Sequence, residues 1–170
     1  MCIRDRPTGI QSENFLHISC DLIEEDAVQL ASKTALEFLG KIDVLVNNAG
    51  MGHYGNLVDM PSDQWRHMFD LNVHGLFYIT QACIPSMIEQ ESGHILNISS
   101  IAGLNGVKGF SGYVGTKHAV RGISHSLYQE LREYGIKVST VYPGSTETSF
   151  FEDIPGVEAD RNMMLSLIHI

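Results

Sequence analysis

Basic side chains are scarce in this chain. Its 170 residues include 11 lysines and arginines against 20 aspartates and glutamates, a formal charge of −9. That balance offers no basic footprint, which argues against nucleic acid and anionic membranes as partners. Long hydrophobic runs are also missing. The nearest, Ile79–Ile88, is interrupted by Gln81, Pro85 and Ser86, so no stretch reads as a bilayer span. Cysteine is rare. Cys20 and Cys83 stand far apart without metal-ligand spacing, the usage of a reduced, cytoplasmic protein with buried thiols. The histidines are scattered. His67 and His74, like His118 and His125, sit seven apart, but no cysteines or carboxylates cluster with them, so they read as helix-face residues and no metal site is expected.

A glycine-rich phosphate loop is absent too. Neither Gly-x-x-x-Gly-x-Gly nor Gly-x-Gly-x-x-Gly stands between a strand and a helix. Gly103, Gly106, Gly109 and Gly112 recur every third residue, the wrong spacing for that fingerprint. They read instead as a mobile loop. What is present is 44% apolar residues, enough for the packed core of one soluble domain.

Strand and helix patterns alternate along the chain. Phe15–Ser19 reads as a short strand. Val28, Leu30, Ala31, Ala35 and Leu39 make a helical stripe over 24–39, closed by Gly40. Residues 42–47 form a continuous apolar strand of the kind buried on both faces. Ser62 is placed to cap a helix reaching about Glu89 and bent near Pro85. A strand over 94–99 follows, then a helix from Ser111 to about Tyr134 stopped by Gly135, then a strand over 137–142. This order predicts an α/β fold with a doubly wound parallel sheet. Ligands of such sheets bind beyond the carboxyl ends of the strands, where Asn47, Ser100 and Pro143 fall.

The sharpest chemical signal is Tyr113-Val-Gly-Thr-Lys117, with Ser100 thirteen residues earlier. Residues four apart on a helix project from one face. A phenol titrates near pH ~10, and an ammonium beside it is expected to favour the phenolate and lower that value. Such a phenol is a usable general acid or base. A serine hydroxyl at a strand end can hold a carbonyl or alcohol oxygen against it. Taken alone, a Tyr-x-x-x-Lys spacing is as readily an exposed tyrosine and a solvated lysine. Its company lends it weight: Asp43-Val-Leu-Val-Asn-Asn-Ala-Gly50, Leu71-Asn72-Val73-His74-Gly75, Asn97-Ile-Ser-Ser100 and Val141-Tyr-Pro-Gly144, with Thr148 beyond.

Together these segments resemble the classical short-chain dehydrogenases/reductases, from about Phe15 to about Phe151. The resemblance implies a Rossmann-like fold and an oxidoreductase using NAD or NADP on a secondary alcohol or ketone. It implies that Tyr113 is the acid/base, that Lys117 lowers its pKa and binds the nicotinamide ribose, that Ser100 orients the substrate oxygen, and that Asn72 holds a relay water. By the same resemblance Asn47, Asn48, Ala49 and Gly50 lie beside the adenosine side of the cofactor, Asp21 contacts adenine, and Pro143, Gly144 and Thr148 embrace nicotinamide. The closest likeness is to generalist reductases that include 3-oxoacyl-carrier-protein reductases. The two long helices correspond to those that pair subunits, implying a homodimer or homotetramer. An extended-branch sugar epimerase or dehydratase shares Tyr-x-x-x-Lys, but Asn-Asn-Ala-Gly and Asn72 favour the classical branch. A non-catalytic cofactor-binding regulator or an inert fragment is the other alternative.

The two ends depart from this pattern. Met1–Arg6 can be written ATG TGT ATA AGA GAC AG plus one base. The reverse complement, continued by one base, encodes Leu165–Ile170. Inverted copies of one DNA string read as a translated library adapter and fall outside the fold. The expectation is a partial domain over residues 7–164, truncated at both ends. It would lack the first two βα units, and with them the phosphate loop and the strand expected beside Phe15–Ser19. Such a chain, made as written, is expected to be poorly stable, inactive and unable to hold the cofactor pyrophosphate.

Overall fold

Acidic residues open the first helix, α1 (Glu25–Leu39), where Glu25 and Asp26 complement the positive end of its dipole. Gly40 closes it with φ 75° and donates its N–H to Leu36 O at 2.8 Å, a backbone conformation that favours glycine. The computed structural model describes residues 14–144 and Ile154. After α1 come β1 (Val44–Asn47), α2 (Ser62–Phe69), α3 (Leu76–Glu89), β2 (Gly93–Ile98), α4 (Ser111–Leu131) and β3 (Ile136–Val141).

The three strands form one parallel sheet in the order β1-β2-β3. Its register sets Leu45, Ile95 and Val138 in one row, with Asn47 and Asn97 opposite each other two residues on. Strand side chains alternate between faces. The row of Leu45, Ile95 and Val138 packs with Leu36 of α1, Cys83 and Met87 of α3, and Leu131 of α4. Ile95 and Met87 are fully buried, and burial of a side chain this size contributes about 1.5–3 kcal/mol. On the opposite face Val44 and Val46 are 55% and 52% exposed. The described helices thus cover one face of the sheet, and the core lies on that side.

Several expectations need correction. Phe15–Ser19 forms no strand, and Phe15 and Leu16 are exposed. Backbone groups pair as a strand only where a partner ladder exists, and β1 pairs only with β2. Ser62 and Ser111 are first helical residues rather than caps. The cap positions belong to Pro61 and Phe110, which make no capping side-chain bond. Pro61 suits a helix entrance because its fixed φ costs nothing there. The long helical stretch departs from α geometry not at Pro85, which sits inside α3, but at a π-helical segment, Asp70–Gly75, between α2 and α3. A side chain on Gly75 would come within 3.1 Å of Leu22 O, so glycine admits the segment preceding α1 at this point. The glycine series is packed rather than a loose loop over part of its length, since Gly103 and Gly112 are buried.

Candidate active site

Parallel strands align their carboxyl ends, and three of the singled-out positions meet at that edge. Asn47 ends β1, Ser100 lies just past β2, and Pro143 lies just past β3. Backbone bonds lock the last two together, from Ser99 N to Val141 O at 2.8 Å and from Ile101 N to Pro143 O at 3.0 Å. Ser100 is extended and half-buried. Its Oγ accepts from Ala102 N at 3.1 Å and so caps the turn Ile101–Gly103.

Tyr113 and Lys117 stand one helical turn apart on α4, facing this edge. The Ser100 side chain lies beside the Tyr113 phenol, where its hydroxyl favours the ionised form. Lys117 is only 5% exposed. Its Nζ donates to Ile98 O at 2.8 Å and lies 5.6 Å from the centroid of the Tyr113 ring. The ammonium therefore faces the ring and a β2 carbonyl. Burial lowers the Lys117 pKa to about 8. Burial also pushes the Tyr113 phenol up, against a smaller opposing pull from Ser100. The expected lowering of the phenol by its lysine is thus overturned. Both charged forms lose solvation in this position, and burial outweighs every other influence.

Asn72 sits in the π-helical segment, a geometry often found at functional sites, and is 2% exposed. Its Oδ1 accepts from Met51 N at 2.8 Å. Its Nδ2 donates to Met51 O at 2.8 Å and to Thr116 Oγ1 at 3.0 Å. Both side-chain donors are spent on protein, which leaves neither for a relay water. Gly50 lies beside this group. A Cβ there would stand 3.3 Å from Asn72 Oδ1 and 3.5 Å from Lys117 Nζ.

The remaining positions divide. Asn47 is buried, and its Nδ2 donates to Thr80 Oγ1 at 2.9 Å and Asn97 Oδ1 at 2.7 Å, so its side chain serves the core. Asn48 is exposed, and Ala49, Gly50, Pro143 and Gly144 are half-buried along the same edge. Asp21 closes a turn before α1, its Oδ1 accepting from Ile23 N at 3.2 Å. Thr148 lies outside the described residues. Residue typing missed Asn97, fully buried, whose Nδ2 donates to Ser124 Oγ at 2.8 Å. It also missed Thr116 and Phe110. Phe110 is 3% exposed and packs with Tyr54, Ile154 and Tyr113. Nothing local marked these residues except their place inside or beside the quoted motifs. Among the described residues, no group of histidine, cysteine and carboxylate side chains could hold a metal, and no helix is long and apolar enough to cross a membrane.

The family model for short chain dehydrogenases matches residues 6–158. The chain belongs to the short-chain dehydrogenase family. An uncharacterized oxidoreductase of Staphylococcus aureus strain N315 is 36% identical over 132 residues, which are 78% of this chain and 57% of that protein. The chain thus spans little more than half the length of that relative. Among solved structures, NAD+-bound xylitol dehydrogenase superposes with a TM-score of 0.76 at 32% identity, over 79% of this chain and 52% of that one. A metagenomic short-chain oxidoreductase in complex with NADP superposes with a TM-score of 0.72 at 38% identity, over 75% and 58%. These likenesses agree with the Rossmann-like arrangement of parallel strands and flanking helices.

Proposed function

We propose that the protein containing this chain transfers a hydride between NAD or NADP and a secondary alcohol or ketone, with Tyr113 as its acid/base. One observation carries this reading: Ser100, just past β2, comes together with Tyr113 and Lys117 of α4 in one cluster at the carboxyl edge of the sheet. Support comes from relatives that bind NAD+ or NADP.

The residues present fit the nicotinamide-ribose side of such a cofactor. Lys117 Nζ gives one bond to Ile98 O, and an ammonium has two further donors for ribose hydroxyls. The missing side chain at Gly50 keeps backbone close to that nitrogen. Asn48, Ala49, Pro143 and Gly144 line the same edge. Asp21 and Thr148 are assigned from family likeness alone. When bound, the cofactor supplies or accepts the hydride.

The chain's own residues handle the proton. The Ser100 and Tyr113 hydroxyls share this edge of the sheet, so a carbonyl oxygen placed between them can accept from both. Burial keeps the phenol protonated, which suits it to protonate the oxygen as charge develops there. Lys117 holds its place over the ring rather than stabilising a standing phenolate. Asn72 fixes the loop after β1 against α4 through its side chain.

The substrate reading is 3-oxoacyl thioesters on a carrier, from overall likeness, with the parent a homodimer or homotetramer. The test is cofactor oxidation by the full-length protein over a ketone panel including 3-oxoacyl thioesters. Turnover that survives undiminished in Tyr113→Phe refutes the assigned role. Cofactor binding without turnover of any carbonyl favours a non-catalytic regulator.

A further inference from the structure

Thr116 occupies an unusual position for a hydroxyl. It is fully buried in the middle of the active-site turn of α4, between Tyr113 and Lys117. Its Oγ1 donates to Tyr113 O at 2.8 Å and accepts from Asn72 Nδ2 at 3.0 Å. Such back-bonding within a helix tends to destabilise it slightly. Valine would fill the same volume without burying a hydroxyl, whose desolvation is costly unless its bonds are met. Space-filling alone therefore does not account for threonine here. What the hydroxyl adds is a connection. It joins the carbonyl of the acid/base residue to Asn72, and through Asn72 to both backbone groups of Met51.

We propose that Thr116 is a positioning residue, whose hydroxyl sets the distance between the loop after β1 and the helical turn that carries Tyr113 and Lys117. The catalytic consequence of this linkage rests on the functional reading above, and the linkage itself does not. Two segments far apart in sequence, α4 and the π-helical turn, meet at this hydroxyl, and Asn72 carries the connection on to the loop after β1. A backbone bond from Gly55 N to Gly109 O at 2.8 Å also ties that loop to the residues leading into α4. Loss of the hydroxyl leaves one Asn72 N–H without its partner, which lets the amide turn and releases Met51. The site residues then keep their identities and lose their spacing.

The experiment uses the full-length protein with Thr116→Val, Thr116→Ser, Asn72→Ala and the double variant Asn72→Ala/Thr116→Val. Amide exchange at Met51 reads the linkage without any need for turnover. Exchange is expected to quicken roughly 5- to 10-fold in Thr116→Val, the scale of one lost hydrogen bond, and to return towards wild type in Thr116→Ser. With a ketone substrate, kcat is expected to fall roughly 10- to 100-fold in Thr116→Val, the scale of a small misplacement of reacting groups. The alkaline inflection of the rate profile moves with it, KM for cofactor changes less, and Thr116→Ser restores both. The double variant is expected to be no slower than Asn72→Ala, because both changes cut one connection. Additive losses in the double variant, unchanged Met51 exchange, or a lowered melting temperature with an unmoved inflection would each overturn the proposal. If Thr116→Val does not fold, Thr116→Cys, which retains volume but is a weak donor, is read in the same way. Absence of turnover in the wild-type protein would sink the functional reading, while Met51 exchange would still decide the linkage.

Discussion

Lys117 Nζ sits over the face of the Tyr113 ring, 5.6 Å from its centroid, and spends a hydrogen bond on Ile98 O. The pair is therefore close without being a simple ammonium-phenolate couple. Its electrostatics are dominated by burial, which disfavours charge on both groups.

Removing the phenol hydroxyl tests the proton step directly. Tyr113→Phe keeps the ring, its edge contact with Phe110 at 6.2 Å and its place under the ammonium. Ketone reduction by the full-length protein is expected to fall about 10²- to 10⁴-fold in kcat. Cofactor binding, followed by fluorescence titration, is expected to remain.

The buried lysine has a stability signature whose sign follows from its depressed pKa. Folded Lys117 titrates at about 8, below the ordinary lysine value of 10.5. Between those values the unfolded chain binds more protons, so the Lys117 contribution rises with pH and is lost as pH falls through about 8. Lys117→Met removes that dependence. Its stability relative to wild type is expected to be greatest near neutrality and to shrink by up to roughly 3 kcal/mol as pH rises. Denaturant midpoints of both proteins across the alkaline range check it, and a constant gap would contradict it.

Asn97 is the middle of a polar line running from β1 through β2 to α4. Asn47 Nδ2 donates to its Oδ1 at 2.7 Å, and its own Nδ2 donates to Ser124 Oγ at 2.8 Å. Asn97→Ala breaks both bonds in a dry core, with an expected loss of about 1–3 kcal/mol. Val44→Ser, on the exposed face, is expected to cost under about 0.5 kcal/mol. Urea titration of the two variants separates a core role from general strand propensity.

Gly103 is the small residue on which the Ser100 turn depends. A methyl there would collide with Ser99 Oγ and come within 2.8 Å of Lys117 O, breaking the 3.0 Å bond between those two atoms. Gly103→Ala is expected to lose about 1–3 kcal/mol through overpacking. Its control is Gly106→Ala, where the added methyl meets nothing. Thermal melts compare the two, and equal melting temperatures would refute the packing argument.

Much was legible without coordinates because it depends on near neighbours along the chain. The apolar stripe and Gly40 predicted α1 nearly to the residue. All three strands were located from the sequence, the first from a continuous apolar run, and their carboxyl ends carried the singled-out residues to one edge. Tyr113 and Lys117 had to share a helix face because four residues make about one turn. The failures lie where a partner from elsewhere decides. Phe15–Ser19 has strand composition but no ladder partner. Asn47 reads as a cofactor residue, yet Thr80 and Asn97 turn its amide into the core.

Sequence alone thus determined the kinds of elements, their order and the chemical groups at the strand ends, since periodicity and side-chain identity are local properties. Only the tertiary structure decided which groups meet and how dry their meeting place is. Solvation and hydrogen bonding depend on atoms from distant segments. That is why the lysine fails to lower its tyrosine, and why Thr116, silent in the sequence, joins Asn72 to the turn beside it.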